Sequence, residues 1–213
     1  MSLEQALAAI LNAGGRFGEV RIQKLGGGFA LCHHDDENRR DLKTLPTVED
    51  AVEIARYDDA GDYRPLKTAP NLQHGWRLDV VDLRELRRAL EYFYPGRLAI
   101  LAAWKENRLS ETSLRETLDR QSGMYRVAAK ISDDQIDDVV GTTCRSNGGC
   151  LRTILWKRDK GGAVPSTKLP PEKFDPAHEQ AAPDEQSIPL LCQEACTILI
   201  NACRKAVKGE ADQ

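Results

Sequence analysis

Long apolar runs are missing from this sequence. No stretch reaches the roughly 18 apolar residues that a bilayer-spanning helix needs, which excludes that class of membrane protein. A signal peptide is not expected either, because MSLEQALAAILNAGGRF has no basic start and Glu4 interrupts it early. An excess of positive charge is also lacking. Lys and Arg number 30 against 33 Asp and Glu, a net charge of −3, so the overall footprint of a nucleic-acid binder is absent. No Ser/His/Asp, P-loop or Rossmann pattern occurs, and Gly26-Gly27-Gly28 lacks the strand–loop–helix setting of a phosphate cradle. There is no internal repeat. These absences lead to the expectation of a cytoplasmic protein that binds neither membrane nor nucleic acid.

Cysteine is what the chain has, and has unevenly. Of six cysteines, Cys32 stands alone, while Cys144, Cys150, Cys192, Cys196 and Cys203 crowd the last third. In a reducing compartment, paired cysteines more often bind metal or do redox chemistry than form disulfides.

Periodicity supplies the frame. Leu3, Ala6, Leu7, Ile10 and Leu11 predict a helix over 2–13, stopped by Gly14-Gly15. Val20 and Ile22, then Phe29, Leu31 and His33, alternate on either side of the glycine run and predict a β-hairpin. Thr47 caps a helix to about Tyr57, with Asp50 three residues on. Residues 75–80 read as a third strand, and Asp82 caps the helix LRELRRALEYFY. The fold class expected is α+β: a small α-β-β-α-β-α unit over 1–95, then a mostly helical cluster-binding domain over 96–213. In that second part, helices are expected over 97–107, from Ser110 (or the inner box Ser113/Glu116) to about Gln121, and after Ser132. LRTILWKR is a short helix or extended segment, residues 159–189 form a long proline-rich loop, and a final helix runs from LLCQEACTILINACRKAV.

Two close cysteine pairs flank the long loop. Cys144 and Cys150 bracket RSNGG, where Gly148 and Gly149 permit close backbone approach to a cluster. Cys192 and Cys196, at i and i+4 near a helix N-terminus, would share one face about 5–6 Å apart, where the helix dipole favours thiolates. Four thiolates are the usual ligands of a cubane cluster. Zinc sites built from four cysteines favour spacings of roughly two to four residues, against five in the first pair here. A [4Fe–4S] cluster is therefore preferred, with zinc as the alternative. Cys203, about 10 Å further along the helix, and Cys32 on a strand read as core residues.

RQSGMY (Arg120–Tyr125), the run Cys144…Cys150-Leu151-Arg152…Trp156 and Cys192-Gln193-Glu194-Ala195-Cys196 resemble the iron–sulfur domain found C-terminally in CbiX-type sirohydrochlorin cobaltochelatases. The preceding α+β part resembles the small stabilising domain that accompanies it. The resemblance implies a [4Fe–4S] cluster held by Cys144, Cys150, Cys192 and Cys196. The chain departs from that family in one large respect: a chelatase core is not found in its 213 residues, so any tetrapyrrole chemistry would need a separate chelatase or redox partner protein. The expected role is an electron-transfer or accessory module in cobalamin or sirohaem synthesis. The alternatives are a structural, metal-stabilised interaction protein and a redox-sensing regulator.

Other features carry less. Arg145, Arg152, Lys157, Arg158, Lys160, Lys168 and Lys173 read as a docking face for an acidic partner or polycarboxylate tetrapyrrole, or as a solvated loop. Arg120 and Gln121 read as helix bridges or as donors near the cluster. Trp104 and Trp156 read as core or cluster-shielding residues, and His33-His34 as a solvated strand end.

Overall fold

The alternation around Gly26-Gly27 does form a hairpin, and a sheet is built on it. In the computed structural model, which describes residues 11, 15–145, 150–159 and 187–209, β1 (Gly15–Phe17), β2 (Val20–Leu25) and β3 (Gly28–His33) form an antiparallel meander. β4 (Lys43–Leu45) pairs in parallel with β5 (Trp76–Val80), which pairs antiparallel with β3. The short strand Ser187–Ile188 adds to β1, giving the order β4-β5-β3-β2-β1 and then Ser187–Ile188. Glycine is required at the head of β3, since a Cβ at Gly28 would lie 2.2 Å from the Val80 carbonyl oxygen. The architecture is α+β. Of the expected helix over 2–13, only Leu11 lies among the described residues, where it is helical and buried.

Local signals set the helices. Thr47 and Asp50 form a capping box whose 3-10 turn continues into α1 (Ala51–Arg56). The Asp82 carboxylate accepts from the Glu85 N–H at the start of α2 (Leu83–Phe93), whose Leu86, Ala89, Leu90 and Phe93 are buried. Phe93 stacks on Trp76 of β5, and Tyr94 meets Phe17 of β1 edge-on. α3 (Arg97–Lys105) buries Leu98 and Leu101 and packs on α2.

The chain divides into two compact units: Met1–Arg108 with Pro183–Leu190, and Leu109–Ala182 with Leu191–Gln213. The sequence reading draws the division after residue 95, whereas the first unit also takes in α3.

The second unit contains α4 (Leu114–Asp119), a 3-10 segment Gly123–Lys130, α5 (Asp133–Val140) and α6 (Thr197–Lys208). Ser113, not Ser110, caps α4, because its side chain accepts from the Glu116 N–H. Ser132 and Gln135 form a full capping box on α5. LRTILWKR is extended: Thr153–Ile154 pairs in parallel with Leu191–Cys192. The core packs Leu114, Leu118, Ile136 and Val140 with Trp156, Leu199 and Cys203. Among the described residues, no helix is long and apolar enough to cross a membrane. Residues 160–186, most of the expected proline-rich loop, lie outside the described residues.

Candidate metal centre

Four separate local structures deliver the cysteines. Cys144 sits in a single π-helical turn, Gly141–Arg145, continuing α5; such turns recur at functional sites because they redirect side chains within a helix. Cys150 begins the extended run that reaches Thr153–Ile154. Cys192 lies in the two-residue strand paired with it, and Cys196 is the N-cap of α6, with extended φ −82° and ψ 165°. The expectation that Cys192 and Cys196 share one helical face is therefore wrong. The helix starts five residues after Cys192, and a short loop joins the two. The helix N-terminus, with its partial positive charge, is at Cys196 and not at Cys192.

The same unit gathers all four. Cys192 is part of the hydrophobic core, and Cys144 and Cys196 are half-buried against it. Backbone bonds hold the segments in place: the Leu155 N–H donates to the Cys192 carbonyl at 2.9 Å, Thr112 N–H to Gln193 at 3.1 Å and Leu114 N–H to Lys157 at 2.7 Å. RSNGG, expected to aim amides at a cluster, lies outside the described residues apart from the backbone of Arg145.

Trp156 is the buried core residue expected, while the contacts that Arg152 makes with the sulfurs are not announced by the sequence. The Arg152 amide donates to Cys150 Sγ at 3.4 Å, and its guanidinium Nη1 points at Cys192 Sγ from 3.7 Å. The buried indole Nε1 of Trp156 donates to the same sulfur at 3.4 Å. Burial works against the charge on Arg152, but Cys150, Cys192 and Cys196 outweigh it and hold the guanidinium above its ordinary pKa. Burial pushes the Cys192 thiol up, while Arg152 and the Trp156 N–H pull it down and Cys150 and Cys196 add to the rise. Arg152 and Trp156 stand four apart in CLRTILW, and an alternating strand pattern would have been needed to see that both face the sulfurs.

The remaining candidates separate. Cys32, on β3, and Cys203, on α6, are buried thiols, each pushed up to about 11 mainly by burial. Arg120 forms an exposed ion pair with Glu194, 3.4 Å away in the Cys192–Cys196 loop. Gln121 donates to the Thr117 carbonyl at 2.8 Å, bridging the end of α4. Trp104 is exposed with Lys105 over its ring, and so shields nothing. Of the expected basic docking face, Arg152 turns inward and Arg158 pairs with Asp137; Lys160, Lys168, Lys173 and the side chain of Arg145 lie outside the described residues. His33 is no solvated strand end; it is 2% exposed.

Both parts of the chain are similar to known proteins. Residues 4–108 match the family described as DR2241 stabilising domain. Residues 106–205 match the family described as 4Fe-4S iron-sulfur cluster binding domain, and the chain's cofactor is a [4Fe–4S] cluster. Among solved structures, DR2241 from Deinococcus radiodurans is 33% identical with a TM-score of 0.75, over 98% of this chain and 41% of that one. It is described as a multi-domain protein with structural similarity to chelatases but also with two additional novel domains. The chain thus spans about two fifths of that protein's length. No curated protein matches. The residues present fit such a cofactor. Cys144, Cys192 and Cys196 on one small core, with Cys150 beside Arg152, offer the donor set, two N–H groups are directed at the buried Cys192 sulfur, and a cation beside them offsets the negative charge that thiolates bring.

Proposed function

This chain joins a DR2241 stabilising domain to a 4Fe–4S iron–sulfur cluster binding domain, and we propose that it works as an electron-transfer or accessory module for a sirohydrochlorin chelatase in cobalamin or sirohaem synthesis. Cys144, Cys150, Cys192 and Cys196 are the ligands in this reading. In this reading the chelatase is a separate partner protein; neither family matched over residues 4–205 is itself described as a chelatase. The similarity to a multi-domain protein that resembles chelatases supports the association.

The observation that carries the redox half of the reading is the setting of Cys192. When bound, the cluster supplies one-electron transfer. Arg152 places a positive charge 3.7 Å from Cys192 Sγ, which favours the more negative, reduced state. Trp156 draws electron density from the same sulfur through its N–H and closes the site with a buried ring. Cys196 at the N-terminus of α6 adds the positive end of a 12-residue helix.

A structural role has its own support: Cys192 is a core residue, and two other cysteines pack on that core, so a bound cluster would tie the second unit together. Potentiometric titration with paramagnetic resonance and circular dichroism on the same samples separates the two. The redox reading expects reversible one-electron reduction with the fold unchanged. A cluster that resists reduction at strongly negative potentials, or breaks apart when reduced, would leave the structural role. Co-purification with a sirohydrochlorin chelatase tests the association; failure to bind or to alter its turnover would remove that half of the proposal.

A further inference from the structure

We propose that His33, His34 and Asp35 form a second metal site, in the first unit, for one divalent transition-metal ion of the Zn2+, Co2+ or Ni2+ type. One ligand atom from each lies within 4.8 Å of the others. Two imidazoles and a carboxylate suit these ions better than the oxygen-seeking Ca2+ or Mg2+, and they differ in kind from the thiolates of the second unit.

The backbone makes the site by ending β3 at His33 and turning at once into a 3-10 segment, His34–Asp36. The turn stacks the two imidazole rings, with centroids 4.6 Å apart. His34 Nδ1 is 3.0 Å from Asp35 Oδ1, and His33 Nδ1 is 3.7 Å from Asp35 Oδ2. Ligands bonded to a tetrahedral ion at about 2.0–2.1 Å stand about 3.3 Å from one another, and the two imidazole–carboxylate distances fall on either side of that value.

His33 is held in the form a ligand needs. The Asp35 amide donates to His33 Nδ1 at 3.2 Å, which puts the ring's proton on Nε2; the Nδ1 lone pair is taken by that amide, so an ion binds there by replacing this one long bond. Nε2 is buried without a hydrogen-bond partner and faces Glu19 Oε1 at 3.8 Å. That carboxylate is fixed by the amides of Asn71 (2.7 Å) and Leu72 (3.0 Å) and by Arg64. A carboxylate behind the far nitrogen is what orients a metal-binding histidine. Asp36 and His74 flank the site without joining it: Asp36 accepts from Gly75 N–H and Arg39, and His74 Nδ1 lies 3.6 Å from Asp36. Asp35 is exposed and His34 half-buried, so an ion enters from solvent and water completes its coordination.

The test is anaerobic titration of the whole, cluster-loaded protein with Co2+. The proposal expects one cobalt retained per chain, with the iron content unchanged and a d–d absorption spectrum lacking a thiolate-to-cobalt charge-transfer band. His34→Ala and Asp35→Ala, both at solvent-facing positions, should each weaken binding by about tenfold or more with circular dichroism unchanged. Absence of saturable binding at micromolar cobalt would overturn the proposal. So would a thiolate band accompanied by iron loss, or affinity in both variants equal to that of the parent protein.

Discussion

Replacing Arg152 by Gln removes the charge seated among Cys150, Cys192 and Cys196 and leaves a shorter, neutral amide. The Arg152 Nη1 is 3.7 Å from Cys192 Sγ. With a metal–sulfur bond of about 2.3 Å, an added electron settles about 6 Å from the guanidinium. At an effective dielectric of about 20, that separation is worth about 3 kcal/mol, or about 120 mV for a one-electron couple. Arg152 is only part-buried, so solvent trims the effect, and Arg152→Gln should lower the potential by about 60–120 mV. Arg152→Lys keeps the charge and should shift it by less than half as much. The assay is a potentiometric titration followed by paramagnetic resonance, on protein whose iron content has been measured first. A fully loaded Arg152→Gln variant with an unchanged potential would refute the electrostatic reasoning. Equal shifts in the Gln and Lys variants would point to packing and not charge.

Three further outcomes follow from other parts of the structure. The Tyr94 hydroxyl accepts the buried Glu19 N–H at 2.8 Å, so Tyr94→Phe leaves that donor unpaired and should cost about 1–3 kcal/mol in denaturant unfolding. The buried Glu19 carboxyl sits below its ordinary value of 4.5: burial alone would raise it, but His33, the Leu72 and Asn71 amides and Arg64 together outweigh burial. A depressed folded value contributes stability that is complete above 4.5 and lost as pH falls through it, so Glu19→Gln should cost about 3 kcal/mol at neutral pH and progressively less in acid, read from melting curves across pH. Cys32 and Cys203, both held near 11, carry about one thiolate in a thousand at pH 8 and should resist alkylation in the folded protein, as mass spectrometry after iodoacetamide treatment would show.

What was legible in the sequence was whatever the chain encodes locally. The Thr47/Asp50 pair and the Ser132 and Asp82 caps each involve residues three apart, and all three helix starts are observed. The hairpin was equally readable, because two alternating runs meet at Gly26-Gly27. Long-range pairing was not. Leu191–Cys192 looks like the start of a helix from its own neighbours, and only its pairing with Thr153–Ile154, some forty residues earlier, makes it a strand. His33 was misread for the same reason. The DDE that follows it suggests solvent, but β3 lies between β2 and β5, where the strand is buried on both faces. At the centre, the cysteines were visible as a set, yet the partners of Cys192 depended on a strand register that no spacing announces.

The account rests on four particular thiols holding one cubane cluster. The most direct test is iron and acid-labile sulfide counting on anaerobically purified protein, compared across six single Cys→Ala variants. The account predicts about four of each per chain in the parent protein, as a cubane requires, and in Cys32→Ala and Cys203→Ala. It predicts loss or degradation of the cluster in Cys144→Ala, Cys150→Ala, Cys192→Ala and Cys196→Ala. Full occupancy with Cys196 removed, together with loss when Cys203 is removed, would contradict it by placing the fourth ligand on the wrong turn of α6.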